Sequence, residues 1–563
     1  MIGTKPNINS KIIIALFLSL WFILNLLQSY FTGLANDEAY YWMYSRYLAW
    51  GYFDHPPMVA LLINVGNHLF SNELGVRIMF CILGTLTLLL IYKISHGSPW
   101  LFILITSAIA LVHTHVAGFF AIPDIPLVFF TALFFYFYKQ YLEKDTTGLA
   151  VLMGLSVAGM LYSKYHGLLV VIFVLLSNFS LVKRKSAWIM IGLVALAMVP
   201  HLIWQIRHDF PTFQYHLVSR SSGFDPENIL NYIYSQVLIA GPLIAPLVLY
   251  YSLSGKPTGL FERSLKFTLV GFLVFFFLSS FRDHMEAHWT AAAFVPLIAL
   301  AHTSISGHEK AAKWVHNLAI PSLILLVVLR FLVAFDRIPY PLKYLDEFNG
   351  WKQWAATIKK TANGREVAFL NKYQYAAKYT FYTGDISCSI NDVFARKSQY
   401  NLWDFEDSLA GKPVMLNKSL QPEGLIKTPN RREHGYSFIE NFQPFNRMVT
   451  EAMLPSETMK AKDTLTVHCK LHNPSRDTLH FHQSDEFCPV LSWVIREESG
   501  TFYQQHLPVK EYEYQDIPGK SSVEFTFTFD APEKPGRYQL YMVYWLPVAG
   551  HLGSSKPAVF TIR

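Results

Sequence analysis

Residues 36–57, NDEAYYWMYSRYLAWGYFDHPP, decide how this chain is read. The stretch is polar and aromatic, and it lies between two apolar runs. Residues 12–31 before it are long enough to cross a bilayer and a second run begins near Val76, which puts the segment at a membrane face. Asp37 and Glu38 come directly after the first run, and Tyr40, Tyr41, Trp42, Tyr44, Tyr47 and Trp50 follow them. Adjacent carboxylates and clustered aromatics at a membrane rim suit the handling of an amphiphilic molecule. A plainer reading makes Asn36 a helix cap, the acids its first turn and the aromatics an interfacial belt. That reading accounts for the acids but not for the Asp54-His55-Pro56-Pro57 that ends the stretch.

Outward from this segment the chain divides in two. Of 563 residues, 52% are hydrophobic and only 15% charged, and the charges gather in the last two fifths. The first 336 residues read as eleven apolar spans, near 12–31, 76–92, 99–120, 126–138, 148–162, 167–182, 187–204, 229–251, 267–281, 287–303 and 315–335. Several are shorter than the ~20 residues that cross unaided, so a pair of them has the length of re-entrant segments.

Orientation follows from the basic residues. With the N-terminus inside, the inner segments carry Lys5, Lys11, Lys93, Lys139, Lys144, Lys183, Arg184, Lys185, Lys256, Arg263, Lys266, Lys310 and Lys313. The outer loops carry only Arg46, Lys164, Arg207, Arg220 and Arg282. This asymmetry favours a cytoplasmic N-terminus, and an odd number of spans then puts the C-terminal region outside the inner membrane. The first span lacks a small-residue cleavage site before its acidic exit and reads as retained. The net charge of +7 therefore reflects topology, and nucleic acid is not an expected partner. The same map sorts Asp37, Glu38, Asp54, His55, Asp124, Lys164, His166, Arg207, His216, Arg220, Arg282 and His288 to the outer side, leaving inner loops with lysines and short turns. Ionisable residues at span edges are costly and are functional candidates by default.

From residue 337 the composition is that of a soluble protein. Phe348, Trp351, Ala355 and Ile358 keep helical spacing before a short apolar run at 367–370, and a second aromatic helix near 375–382 precedes a short strand at 414–416. A small α/β domain over 337–432 is expected, its role to cover the site. Residues 433–563 alternate like strands at Leu465, Val467, Cys469 and Leu471, at Leu491, Trp493 and Ile495, at 523–529, and at Tyr538, Leu540, Met542 and Tyr544, which predicts an immunoglobulin-like β-sandwich. Cys469 and Cys488 could bridge in an oxidising exterior, though sequence fixes no geometry for it. No CxxC, GxGxxG or Walker pattern appears.

A resemblance joins these observations. DEAYYW at Asp37, GYFDHPPMVALL at Gly51 and ELGVR at Glu73 resemble the first extracytoplasmic loop of the membrane-embedded GT-C glycosyltransferases that use polyprenyl-phosphate sugars, among them the protein O-mannosyltransferases and the lipid A aminoarabinose transferase. AIPDIPLVFF at Ala121, LYSKYHGLL at Leu161, EAHWTAAAFVP at Glu286 and SQYNLW at Ser398 extend the likeness over roughly residues 30–405. The resemblance implies a multi-pass helical domain over 1–336, a lipid-phosphate sugar donor, and an acceptor that is lipid A, a protein or an envelope glycan. It also implies that Asp37, the first acid of the pair, is the general base, with Glu38 structural or a supporting partner, and that Asp124 is a second acid brought to the same site.

Transfer from a phospholipid carrier needs a base for the acceptor hydroxyl and cations for the departing phosphate. Lys164, Arg282 and His55 are the candidates for the phosphate, with Tyr40 and Asp54 beside them in the substrate site; each basic residue could instead be an anchor snorkelling to the headgroups, the commoner fate of a basic residue at a span end. Asp124 could equally cap the next helix. Relatives often carry lysine where this chain has His55, and arginine soon after the acid pair where it has Tyr40. These departures raise Lys164 and Arg282 in rank and argue against assuming an aminoarabinose donor. No cofactor is established. A divalent metal stays open through Asp54, His55 and His216, or through His284, Glu286 and His288, but HMEAH is not HExxH, and satisfied interfacial histidines are the better reading. The rival function, a transporter of an amphiphilic or anionic substrate, is expected to show midplane sites and internal repeats, and here the acids lie at one face with no repeat evident.

Overall fold

The structure is a computed structural model that describes residues 8–214, 223–334, 347–428, 433–481 and 488–563. It divides into two units, Met1–Asn349 and Gly350–Arg563. His216 and Arg220 lie outside the described residues.

The first unit is helical and forms a multi-pass membrane bundle. Among the described residues six helices are long and apolar enough to cross a membrane by length and composition, at Asn9–Phe31, Glu73–Ile94, Asp124–Glu143, Lys185–Arg207, Ala287–Ser306 and Glu309–Ala334. Shorter apolar helices at Met58–Asn67, Pro99–Ala108, Thr147–Ser163 and Gly167–Ser177 fill in between them. Burial distinguishes their places. The apolar window of Ala287–Ser306 is 78% buried, against 17% in Glu309–Ala334 and 22% in Lys185–Arg207, so the first lies at the centre and the other two present apolar side chains outward. An outward apolar surface of this extent is stable only against lipid.

Two expected spans are interrupted. The run at 99–120 is helical only over Pro99–Ala108 and continues as a 3₁₀ turn at Ala110–His113 and a folded loop. Backbone polar groups at membrane depth need internal partners. His115 and Val116 donate their N–H groups to the Leu111 carbonyl at 2.9 and 3.1 Å, and the Ala117 carbonyl accepts Trp21 Nε1 at 2.7 Å and Asn25 Nδ2 at 2.9 Å from the first helix. The run at 229–251 breaks into Pro226–Ile239 and Ala245–Ser254 around Gly241, whose φ of +124° a side chain rarely adopts, and Pro242 adds to the break by lacking an N–H.

The opening segment forms a short helix, Asn36–Arg46, followed by Met58–Asn67. Asn36 is not its cap: Ala35 occupies that position, and the Ala35 N–H is satisfied by Glu38 Oε2 at 2.8 Å. The turn into Glu73–Ile94 is capped by Asn72 Oδ1, which accepts from Leu74 N and Gly75 N at 3.1 and 3.3 Å.

In the second unit a five-stranded mixed sheet packs with the helices Trp351–Ala362 and Tyr373–Thr383. Its strand Glu366–Leu370 lies between Cys388–Ile390 and Val414–Asn417 and runs parallel to both, which leaves Val414–Asn417 at the centre of the sheet. The strand His434–Ile439 pairs antiparallel with Val414–Asn417, so it belongs to this sheet and the α/β part runs past 432. Beyond it a six-stranded and a four-stranded sheet form a sandwich. Trp493 of one sheet meets Phe529 of the other at a ring distance of 5.4 Å, and Thr450 Oγ1 donates to the Met542 carbonyl across them at 2.7 Å. Parallel pairs, Ser554–Lys556 with Val449–Met453 and Ala558–Ile562 with Thr458–Met459, set it apart from an all-antiparallel immunoglobulin sandwich. Cys469 and Cys488 do not bridge one another.

Candidate functional site

The two acids of the opening helix face different environments. Asp37 is exposed on its first turn. Glu38, one residue on, is fully buried and its two oxygens are engaged by four donors. Arg77 Nε reaches Oε1 at 2.7 Å and Nη2 reaches Oε2 at 2.5 Å, while the Ala121 N–H donates to Oε1 and the Ala35 N–H to Oε2, both at 2.8 Å. The remaining donors of Arg77 go to the carbonyls of Ser29, Thr32 and Gly33. This fork-to-fork pair ties the first helix's end, the acid helix, the helix Glu73–Ile94 and the loop before Asp124 into one joint. Glu38 is therefore held fixed by its four donors, and its lone pairs are spent.

Asp54 is buried as well. Its Oδ2 accepts the hydroxyls of Tyr40 at 2.9 Å and Tyr44 at 3.2 Å. Tyr44 stacks flat on Tyr52 at 4.1 Å, and Tyr52 donates to the Tyr44 carbonyl at 3.1 Å, so the aromatic run folds the loop back over its own helix. His55 is half-buried, its ring 5.5 Å from Tyr41. A second chain of contacts holds the loop from behind. Tyr165 bonds His201 Nε2 at 2.7 Å, His201 Nδ1 donates to the Trp50 carbonyl at 2.6 Å, and Thr212 donates to the Tyr52 carbonyl at 3.2 Å.

Asp124 opens the helix Asp124–Glu143 and is buried. Lys164, at the C-terminal cap of Thr147–Ser163, donates to its Oδ1 at 2.8 Å. The structure thus brings together Asp124 and Lys164, and it adds His115 and His288, whose rings stack 4.6 Å apart. The ligand atoms of His115, Asp124 and His288 all lie within 4.8 Å of one another. His284 and Glu286, grouped with His288 by sequence, precede the 3₁₀ turn Ala287–Ala293 that carries it and do not join this cluster. Arg282 is exposed just beyond the helix Leu260–Ser279. Sequence reasoning passed over Arg77 and His115. The signal for Arg77 was present, a lone arginine at the start of an apolar run, which is costly unless paired; His115 lay hidden within a stretch read as a continuous span.

Three comparisons bear on this geometry. Residues 54–204 match the family described as dolichyl-phosphate-mannose-protein mannosyltransferase. A lipid A galacturonosyltransferase, RgtD of Rhizobium johnstonii, is 27% identical over 252 residues, which are 42% of this chain and 52% of that protein; the match thus spans about half the length of this relative. The crystal structure of ArnT from Cupriavidus metallidurans bound to undecaprenyl phosphate superposes with a TM-score of 0.52 at 16% identity, covering 76% of this chain and 97% of that one, a likeness of fold. The membrane unit thus resembles glycosyltransferases, in the family model that residues 54–204 match and in its fold.

Proposed function

We propose that the protein transfers one sugar from a polyprenyl-phosphate donor to an acceptor at the outer face of the inner membrane, through eleven spans that leave the N-terminus inside and the second unit outside. The observation that carries this reading is the gathering of Glu38, Arg77, Asp54, Asp124, Lys164 and His288 at one set of helix ends, the ends that the lysine asymmetry assigns to the outside. The name of the lipid A relative favours a lipid acceptor, with protein and envelope glycans behind it.

In the step proposed, Asp37 accepts the proton of the acceptor hydroxyl as its oxygen attacks the sugar's C1. The C1–O bond to phosphate breaks on the opposite side, the polyprenyl phosphate leaves with the electron pair, and configuration inverts. Cationic side chains, Lys164 and Arg282 with His55, offset the charge that develops on phosphate. Glu38 holds the base in place and takes no proton itself.

Asp37→Asn tests this directly. It keeps size and hydrogen bonding while removing basicity, so transfer from a purified polyprenyl-phosphate sugar should fall by roughly 10²-fold or more with normal membrane levels. Near-normal turnover in that variant would remove Asp37 as the base and turn attention to Asp124.

A further inference from the structure

We propose that the carboxyl edge of the five-stranded sheet in the second unit binds the phosphate group of a phosphorylated saccharide. The chain leaves the strand Glu366–Leu370 through Tyr373–Thr383 towards Cys388–Ile390, and it leaves the adjacent strand Val414–Asn417 in the opposite direction, towards Gly424–Ile426 and His434–Ile439. The crevice beyond two parallel strands whose connections diverge is where open α/β sheets take ligands. Both strands end there in left-handed backbone, Asn371 with φ +55° and Lys418 with φ +64°, a region that lysine rarely adopts. Each is fixed by its own N–H, Asn371 to the Ile390 carbonyl and Lys418 to the Gly435 carbonyl, both at 2.8 Å.

The charge at this edge suits an anion. Trp351 and Trp354, in the first turn of Trp351–Ala362, meet Tyr375, in the first turn of Tyr373–Thr383, at ring distances of 5.1 and 5.5 Å, so both helices begin here. Neither first turn carries an acid, and a helix N-terminus favours negative charge. Lys418 Nζ lies 5.7 Å from the Tyr375 ring centre, and Lys372 opens the helix beside it. Burial first, and the charge of Lys372 second, hold the Lys418 ammonium below the ordinary lysine value, a cost that an anion between the two would relieve. Asp392, whose N–H donates to Asn371 Oδ1 at 2.8 Å, has both carboxylate oxygens taken, by the N–H groups of Phe394 and His551.

A second observation points to a ligand. Phe369, Asn417 and Tyr436 are register partners, so Asn417 and His434, two residues before Tyr436, stand on the sheet face where Phe369 meets Trp354. Trp354 and Asn417 are fully buried and His434 is 5% exposed, yet among the described residues Trp354 Nε1, Asn417 Oδ1 and both ring nitrogens of His434 find no hydrogen-bond partner. Buried polar groups are normally paired, and four such atoms on one face are costly to leave unmade. Burial, and then the charge of Lys418, push His434 down to about 4, so its imidazole stands neutral with one N–H to donate. The indole N–H, that imidazole and the Lys418 ammonium supply donors to phosphate oxygens, and Asn417 Oδ1 accepts a sugar hydroxyl. Entry is by way of Lys372, which is exposed, and Tyr375 and Lys418, which are half-buried; the Tyr375 ring offers its apolar face to the sugar. This site does not rest on the transferase reading.

The test uses the full chain, purified in detergent and titrated by calorimetry with glucose 1-phosphate, inorganic phosphate, methyl glucoside, and dihexanoyl phosphatidylglycerol below its micelle concentration. Glucose 1-phosphate should saturate a site at least about tenfold more tightly than the other three. Lys418→Gln should weaken it by about tenfold and Trp354→Phe several-fold, with thermal midpoints reporting that each variant folds. Lys164→Gln, in the membrane unit, should leave this binding unchanged. A wild type without saturable binding, or a folded Lys418→Gln that binds as tightly as wild type, would overturn the site, and unchanged binding in Trp354→Phe would remove the indole from it. Inorganic phosphate or the phosphatidylglycerol binding as tightly as the sugar phosphate would overturn the saccharide in favour of free phosphate or a lipid headgroup. Binding lost in Lys164→Gln would place the phosphate in the membrane unit and overturn the site there. Transfer activity is read separately, so failure of this site and failure of the transferase reading remain distinct results.

Discussion

Glu38 and Asp124 are both buried carboxylates near helix ends, and each meets a basic residue from another helix, about forty positions away in sequence. Around Glu38 a bidentate guanidinium and two backbone N–H groups fill both oxygens. At Asp124 a single ammonium donates to one oxygen, and two imidazoles stand nearby. A carboxylate whose lone pairs are all taken acts as a rivet, since any ligand must first break bonds already made. A carboxylate with capacity left over can serve a substrate, a proton or an ion. A third case stands in the second unit, where the buried Glu406 accepts one backbone N–H, from Asn446 at 3.2 Å. Burial pushes its carboxyl up to about 7, against the opposing pull of that N–H and of Arg447.

The comparison fails most visibly if the rivet proves dispensable. Arg77→Ala leaves Glu38 buried and unpaired, and should lower stability in detergent by about 3–5 kcal/mol, read as a large drop in unfolding midpoint or loss of the protein from the membrane. Glu38→Gln in the same chain should recover part of that loss. An Arg77→Ala protein of normal stability would show that the joint carries no load.

Glu406 gives the next largest effect. Its folded-state pKa lies above the ordinary value of 4.5, so the carboxyl is protonated in the folded chain and ionised in the unfolded one between those two points. Glu406's contribution to stability is therefore greatest below pH ~4.5, declines as pH rises towards 7, and is flat above it. Glu406→Gln should abolish this slope and stabilise the second unit by about 2–3 kcal/mol above pH 7, with little change at pH 4. Equal pH dependence in both proteins would contradict it.

Lys164→Ala sharpens the contrast between rivet and working site. It should slow transfer by about tenfold while lowering the unfolding midpoint less than Arg77→Ala, because Asp124 keeps two imidazoles beside it. A variant as unstable as Arg77→Ala would make Asp124 a second rivet. The smallest effect belongs to Tyr44→Phe, which removes one of two phenol donors to Asp54 and should cost about 1 kcal/mol, measured as a shift in thermal midpoint.

Sequence alone determined what local pattern encodes. Apolar runs of bilayer length, lysines on one side and acids on the other, and period-two alternation in the last third are properties of neighbouring residues, and helices at Ile8–Phe31 and Glu309–Ala334 or strands at Thr464–His472 and Ser522–Asp530 stand where that pattern puts them. The acid pair and Asp124 were legible as residues at helix ends for the same reason. Tertiary structure decided which acid does what. Asp37 and Glu38 are adjacent and chemically alike, and only Arg77, brought up by another helix, buries one and leaves the other exposed. Likewise the run at 99–120 is apolar enough for a helix, but its loop is held open by Trp21 and Asn25 of the first span, and that loop carries His115 to Asp124 and His288. Pairings across such distances depend on how the helices pack, and hydropathy at a position says only that it is buried, not which partner meets it there.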